Sequence, residues 1–243
     1  MTIEIRPLEQ FKIEPLIPLH IGGLDVSYTN SALLMTIAVV LITALLVLGM
    51  RQRALVPGRW QSVAEMSYEF VADMVDTNVG HGGREFFPFV FTLFMFILFA
   101  NFLGLIPYSY TVTSQIVVTF ALAAVVFIGV TIVGIVRHGF HFLRLFVPQG
   151  VPAVLLLLLV PIELLSYCIR PFTLSIRLFA NMLAGHTMLA IFAGFAASLG
   201  LLGIFPLAIN ILLVALEVLV AALQAYVFAI LTCLYLSDAI NLH

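Results

Sequence analysis

The sequence predicts an all-α integral membrane protein with about five membrane-crossing helices and one amphipathic surface helix. Composition is the first reason: 63% of the 243 residues are hydrophobic and 9% are charged, with a mean hydropathy of +1.20. Soluble domains carry about 25% charged residues, so this chain could not cover a water-facing surface. Charge placement is the second reason, because a membrane-spanning helix needs about 20 mostly apolar residues. Asp, Glu, Lys and Arg are absent from five long stretches: 26–50, 86–136, 145–162, 178–216 and 218–237.

The N-terminal segment and the two cysteines say less about function than the charge pattern does. Residues 1–30 lack the continuous apolar core of a signal peptide, so we expect a retained extramembrane segment. Cys168 and Cys233 lie far apart in apolar sequence without metal-ligand spacing, which predicts buried, inert thiols. The net charge of −2 argues against a nucleic-acid partner. We expect one membrane domain over 1–243.

The first span is predicted over 31–50, with Asn30 or Ser31 as its N-terminal cap. A Pro-Gly pair at 57–58 breaks the chain, and the pattern becomes amphipathic over 59–79. Acidic side chains recur there on one face at helical spacing: Glu65, Glu69, Asp73 and Asp76. That pattern predicts a helix on the membrane surface. Contact with a protein partner and simple solvation are the two alternatives for its acidic face.

Two further spans are predicted, one over 86–106 that Pro107 ends and one over 115–136, and a short polar turn at 108–114 joins them. A basic turn follows the third span. Its His138-x-x-His141 pair has no third ligand nearby, so we expect an interfacial turn and no metal site.

The basic residues predict the orientation of the chain. Six of the ten Lys and Arg residues fall in two loops, 51–85 and 137–147, which the intervening hairpin places on one side. Loops rich in Lys and Arg face the cytoplasm, or the matrix in mitochondria. The N-terminus is therefore expected outside, and five crossings put the C-terminus inside.

The last hundred residues predict two long tilted helices that form a hairpin. A helical stretch over 148–193 would make a rod of roughly 65–70 Å, against a hydrocarbon core of about 30 Å. Such a helix must tilt steeply or break, and Pro171 offers a kink. Glycines from Gly194 onward predict the turn, and the final helix is expected over 207–236.

Ionisable residues inside these two helices are the candidates for function, because each costs about 2.5–3.5 kcal/mol on insertion scales. They are Glu163, Arg170, Arg177, His186 and Glu217. The first three recur every seven residues, so they share one helical face, which Asn181 extends. His186 is rotated by about 180° from Arg177 and points the opposite way. A structural or interfacial charge is the alternative role for Arg170.

The final helix carries its own polar stripe of Asn210, Glu217 and Gln224. Antiparallel packing would place His186 near Glu217 and Arg177 near Gln224. This layout predicts two polar routes on different faces, separated by a permanent positive charge, because arginine does not deprotonate in proteins. Histidine and glutamate suit proton relay, because their pKa values can move towards neutrality. Hydrogen bonding between helices is the alternative role for Gln224 and for Asn181.

Three segments have a distinctive sequence: RPFTLSIRLFANMLAGH at 170–186, FFPFVFTLF at 86–94 and NFLGLIPY at 101–108. They resemble the subunit a family of F-type ATP synthases, in its mitochondrial and related bacterial branch. The resemblance covers roughly 60–243, and the segment around Arg177 is the most specific part.

The resemblance implies a proton-translocating stator subunit that offers two offset half-channels to the carboxylates of a rotor ring. Arg177 matches the family's essential arginine, which faces those carboxylates, and Asn181 and Gln224 match polar residues beside it. His186 and Glu217 match the acid and histidine of the outer channel. An acidic residue of the inner channel matches Glu163, while Arg170 and Asn210 are secondary candidates.

The implied partners are the c-subunit ring, b-type peripheral stalk subunits, membrane lipid and protons. ATP would bind elsewhere in the complex, so we expect no catalysis and no cofactor in this chain. The implied location is a bacterial or mitochondrial inner membrane. The alternatives from other classes are a secondary transporter or ion antiporter, and an intramembrane hydrolase built on Ser166 or Ser175 with His186. The first usually shows two related halves, and we find no internal repeat.

Overall fold

The computed structural model describes residues 12–18, 20–21, 24–25, 27–51, 57–106, 109–139, 142, 147 and 153–241. These residues form six α-helices: α1 (Asn30–Gly49), α2 (Arg59–Asn78), α3 (Phe87–Gly104), α4 (Ile116–His138), α5 (Ala153–Ser198) and α6 (Ile204–Ile240). All of them except α2 belong to the five segments that are long and apolar enough to cross a membrane. The predicted class, an all-α integral membrane protein, is confirmed.

The N-terminal segment contains two short β-ladders that the sequence analysis did not predict. Strand β1 (Pro15–Ile17) pairs antiparallel with β4 (Tyr28–Thr29), and β2 (His20–Ile21) pairs with β3 (Leu24–Asp25). The outer ladder therefore ends directly at the start of α1. Its N-cap is Thr29, whose hydroxyl accepts a hydrogen bond from the Ala32 amide, one residue earlier than the caps predicted from sequence.

Helices α5 and α6 form an antiparallel hairpin. Helix α5 is continuous for 46 residues with Pro161 and Pro171 inside it, and it ends at Ser198, five residues beyond the predicted end at 193. At 1.5 Å per residue it is about 69 Å long, more than twice the hydrocarbon thickness. The turn that follows contains Gly200 at φ 58°, a left-handed conformation that favours glycine. Helix α6 then runs 37 residues to Ile240, beyond the predicted 207–236.

Helix α6 lies at the centre of the bundle and contacts α2, α3, α4 and α5. Small residues on it, Ala221, Ala225 and Ala229, are completely buried, which lets neighbouring backbones approach closely. Two side-chain hydrogen bonds join α4 to α5: Thr119 to Ser175 at 3.2 Å and Thr131 to Tyr167 at 2.7 Å. Membrane helices gain no hydrophobic drive against lipid, so such contacts fix their register.

The amphipathic helix α2 contacts α1, α3 and α6. Val71, Met74 and Val75 are buried against the bundle, whereas Glu69 and Asp73 on the acidic face are exposed. Other apolar side chains of the predicted inner face point away from the protein, including Trp60 at 72% exposure. These exposed groups are suited to a membrane surface.

The two basic loops lie at one end of the bundle. Arg137 at the end of α4 forms a 3.0 Å ion pair with Glu85, just before α3. Arg84 pairs with Asp76 of α2, with Nη2 lying 3.3 Å from Oδ2. The Arg137–Glu85 ion pair joins the end of the first loop to the start of the second, as the predicted placement on one side requires, while Arg53 and Arg144 lie outside the described residues.

The two cysteines and the histidine pair can be compared with their predictions in turn. Cys233 is buried as predicted, but Cys168 is exposed on α5, because it faces away from the neighbouring helices. His141 of the predicted histidine pair lies outside the described residues. Within the residues that the structure describes, no group of three or more His, Cys, Asp or Glu side chains is arranged to hold a metal ion.

The fold predicts which surface of α2 reaches water. In a background with Cys168 and Cys233 replaced by serine, Glu69→Cys and Asp73→Cys should react with a membrane-impermeant maleimide only in inside-out vesicles, because their end of the bundle carries the basic loops. Val71→Cys, which is 0% exposed, is the control and should react in neither vesicle type. Labelling of Glu69→Cys in right-side-out vesicles would contradict this orientation.

Candidate functional site

His186 on α5 and Glu217 on α6 form a buried ionisable pair. Nδ1 of His186 lies 2.6 Å from Oε1 of Glu217, and the two side chains are 10% and 5% exposed. This is the neighbour that helical geometry predicts for His186. A carboxyl and an imidazole at this distance can share or exchange one proton, because either group can hold it. The pair is therefore chemically suited to passing protons.

Gly185 makes this close approach possible. A Cβ atom at position 185 would lie 2.6 Å from Oε1 and 3.0 Å from Cδ of Glu217. Carbon and oxygen atoms that are not bonded stay well beyond these distances. The sequence analysis missed this role, since the glycine's packing partner lies on another helix and has no local signal.

A cavity of about 750 Å³ leads from this pair towards the N-terminal segment. It is lined by residues from the start of α1, the end of α3, the adjoining halves of α5 and α6, the loop after α3 and the segment before β1. The polar ones are Lys12, Glu14, Asn30, Ser109, Tyr110, His186, Asn210 and Glu217. Oε2 of Glu217 and Oδ1 of Asn210 are buried, and neither has a hydrogen-bond partner in the described part of the chain. Buried polar atoms need partners, so water entering this cavity would satisfy them.

Tyr110 lines the same cavity, outside the spans. Burial raises the pKa of its phenol, against a weaker opposing effect of the Gln115 side chain. Its hydroxyl therefore stays protonated at neutral pH and acts as a neutral polar wall group. The groups in the cavity lining that can take up a proton at neutral pH are therefore the carboxyl and imidazole groups among the described residues.

A second polar contact joins α5 and α6, one to two helical turns farther from the loop between them than the His186–Glu217 pair. Asn181 donates to Oε1 of Gln224 at 2.9 Å. The predicted neighbour of Gln224 is Arg177; the hydrogen bond to Gln224 comes from Asn181, four residues after Arg177 on the same helix. Between Glu217 and Gln224, the completely buried Asn101 of α3 donates to the Ala221 carbonyl at 3.1 Å.

Asn101 was missed as a site residue, although a lone amide in a phenylalanine-rich span is itself a signal. It ties α3 to the polar stripe of α6. Its Oδ1 atom is buried without a hydrogen-bond partner among the residues described. The polar stripe is therefore shared by three helices, whereas the sequence assigned it to two.

Arg177 differs from every other charge in the hairpin because it is exposed and unpaired. Within the described residues its guanidinium forms no hydrogen bond or ion pair, and exposed apolar side chains such as Phe172 and Ile176 flank it. A permanent cation on an apolar membrane face needs an anionic partner or water. The geometry leaves room for a partner that carries a carboxylate.

Arg170 has the opposite arrangement. Its Nη1 donates to Asp238 of α6 at 3.0 Å, and the guanidinium lies 4.9 Å from the Tyr235 ring centroid and 5.3 Å from that of Tyr167. An ion pair with two cation–π contacts holds this charge within the protein. Glu163 is half-buried farther along α5 and has no ion pair among the residues described.

The geometry argues against a hydrolase. Ser175 is buried and hydrogen-bonded to Thr119, and eleven residues separate it from His186, about 16 Å along the helix. Ser166 is farther still, so the described residues bring neither serine within reach of the histidine as a nucleophile–base pair.

Comparison with known proteins gives one consistent family. The model of the "ATP synthase A chain" family matches residues 32–237. The chain is 53% identical to an ATP synthase subunit a of Paramagnetospirillum magneticum, over 98% of this chain and 99% of that protein. It is 59% identical to one of Parvibaculum lavamentivorans, over 98% and 94%, and 56% identical to one of Rhizobium rhizogenes, over 97% of each.

The site predicts a specific effect of adding one methyl group. Gly185→Ala should displace the Glu217 carboxylate from His186 with little effect on folding, because the clashing atoms belong to the end of a flexible side chain. The measurement is the distance between Nδ1 and Oε1 in structures of the purified variants, with thermal denaturation as the test of folding. Gly129→Ala is the matched control, since its added Cβ has no neighbour within 4 Å. An unchanged His186–Glu217 contact in Gly185→Ala would contradict the prediction.

Proposed function

The chain belongs to the ATP synthase A chain family and is a proton-translocating stator subunit of an F-type ATP synthase, and we propose that its protons travel through the cavity to the His186–Glu217 pair and then to a rotor carboxylate at Arg177. The observation that carries this proposal is the buried pair at the inner end of a cavity, with an unpaired arginine nearby on the same hairpin. No other buried acid–imidazole contact occurs among the described residues.

The outer route uses the cavity and the pair. A proton from the outer solution moves through the cavity, binds the His186–Glu217 pair and leaves it along the stripe of Asn101, Asn181 and Gln224. The amides order water and donate or accept hydrogen bonds, while the pair holds the proton. The net charge of the pair then changes by one unit at each transfer. The energetic cost of this change is limited because the acid and the imidazole lie in contact and can share the charge.

Arg177 separates the outer route from an inner one, in which Glu163 is the acidic group. An opposite charge within about 4–6 Å lowers the pKa of a carboxylate by about 1–3 units, so Arg177 favours the ionised form of a rotor carboxylate that passes it. The same charge repels a proton that would cross directly between the routes. Release on one side of the arginine and uptake on the other couple proton flow to rotation.

The rotor ring of c subunits would lie against the exposed face of α5 and α6. This face is long and apolar, and among the described residues the unpaired guanidinium on it is that of Arg177. A sliding contact with helices that carry a carboxylate requires both features. A b-type stalk subunit would contact another face, with the acidic surface of α2 as a candidate. The chain would lack catalytic activity of its own, because ATP would bind to other subunits.

Location and orientation follow from the charges. The end of the bundle with Arg84 and Arg137 would face the bacterial cytoplasm, and the N-terminal ladders would face outward across the inner membrane. The cavity with the His186–Glu217 pair opens at that outer end, in agreement with an outer route.

The pair predicts a pattern of variants. His186→Ala and Glu217→Ala should each lower ATP-driven proton pumping by about 10²-fold, because the remaining group lacks its proton-transfer partner. The exchange His186→Glu with Glu217→His should retain more pumping than the worse single variant, since it keeps one acid and one imidazole. The measurement is acidification of inverted vesicles with assembled complexes. Near-normal pumping with alanine at both positions would contradict a role of the pair in proton transfer.

Arg177 predicts a loss of coupling. Arg177→Ala should abolish ATP-driven pumping and open a passive proton leak, because it removes the charge that keeps the routes apart; Arg177→Lys should pump poorly, since ammonium lacks the planar fork of guanidinium. Arg170→Gln, which alters a paired arginine seven residues away, is the control and should leak less. Substantial coupled pumping by Arg177→Ala would show that the charge is structural only.

A further inference from the structure

The outer opening of the cavity carries a charged pair from the N-terminal segment. Lys12 and Glu14 both line the cavity, together with Asn30 at the first turn of α1. Both charged side chains are exposed, while the His186–Glu217 pair at the other end is buried. The described chain therefore places one acid where the cavity meets the outer solution and another where it ends.

Asn30 fixes the segment that carries this acid. Its backbone amide donates to the Glu14 carbonyl at 3.1 Å, and its side-chain Nδ2 donates to the Lys12 carbonyl at 3.1 Å. The Glu14 amide donates back to Oδ1 of Asn30 at 3.4 Å. The β1–β4 ladder continues this attachment from Pro15 onward. One asparagine thus ties Glu14 to the start of a membrane helix.

We propose that Glu14 is the group that exchanges protons between the outer solution and the cavity, with Asn30 as its positioning residue. The inference rests on the proposed outer route and adds its first proton acceptor. Hydronium transfers a proton to the Glu14 carboxylate and leaves water; the carboxylic acid then gives the proton to cavity water, which delivers it to His186–Glu217. The carboxylate is regenerated at each cycle, so charge and protons balance.

Among the described residues, four other charged or titratable groups line the cavity with Glu14: Lys12, Tyr110, His186 and Glu217. Lys12 is two residues before Glu14 and is exposed as well. Of the described carboxyl groups that line the cavity, Glu14 lies at the outer end and Glu217 at the buried end.

The test compares ATP synthesis in proteoliposomes with intact complexes at several pH values of the outer-facing compartment, under one imposed potential. Glu14→Gln should lower the rate about threefold or more at alkaline pH, where hydronium is scarce, and leave it nearly unchanged at acidic pH. Asn30→Ala should show the same pH-selective loss, and Glu14→Asp should largely restore the rate. Glu69→Gln, which removes an exposed acid on α2 outside this cavity, should follow the unaltered complex at every pH.

A chemical rescue separates charge from folding. In the serine background for the two native cysteines, Glu14→Cys should lose rate at alkaline pH, and carboxyethyl methanethiosulfonate should restore it, whereas the uncharged ethyl reagent should not. Equal effects of both reagents, or a Glu14→Gln loss that is uniform with pH or absent, would overturn the inference. If the proposed outer route itself were wrong, the Glu217→Ala complex would synthesise ATP at the normal rate, which distinguishes that failure from a failure of the Glu14 inference alone.

Discussion

The antiparallel register of α5 and α6 is the constraint on which the functional geometry depends. Three contacts at different depths fix it: His186 with Glu217, Asn181 with Gln224, and Arg170 with Asp238. A slip of one residue rotates every side chain on a helix by about 100° and would break all three. The left-handed turn at Gly200 starts the hairpin in this register, and Gly185 lets the helices approach at the buried pair. The ion pair near the far end holds the register where the turn no longer can.

The hairpin treats its charges in three different ways, and the difference carries the functional argument. A buried acid is placed against an imidazole, so that the charge can be cancelled by one shared proton. Arg170 is held by a carboxylate and two aromatic rings, so its charge is satisfied internally. Arg177 is exposed and Glu163 is half-buried, and neither has an ion-pair partner among the described residues. Since unpaired charges in lipid are costly, these are the two positions at which water or another molecule would have to supply a partner.

The sequence predicts the class of fold and most of the site, because both depend on helical periodicity and on the rarity of charge in lipid. It places His186 opposite Arg177 and against Glu217, since heptad spacing determines faces. It does not predict that Asn181 instead of Arg177 bonds to Gln224, because one-turn differences depend on the crossing of two helices. Long-range partners also escape it: Asn101 on the Ala221 carbonyl, and Glu14 beside Asn30, join segments far apart in the chain. The end of α5 is predicted five residues too early, at 193 instead of Ser198, because Gly194 suggests a turn there although the helix continues through it.

The cavity also bears on where a membrane potential would act. Water conducts ions, so water that filled the cavity as far as Glu217 would bring the outer electrical potential up to the buried pair. The remaining drop on that side would then be concentrated over the stretch between the pair and Arg177, about 13 Å along α5, instead of the full hydrocarbon thickness of about 30 Å. A potential of 100 mV does about 2.3 kcal/mol of work on one elementary charge whatever the distance, so a shorter path means a steeper field. The side chains between His186 and Arg177 would then occupy the most strongly polarised layer of the protein, where a neutral substitution would change voltage dependence without touching any proton-binding group.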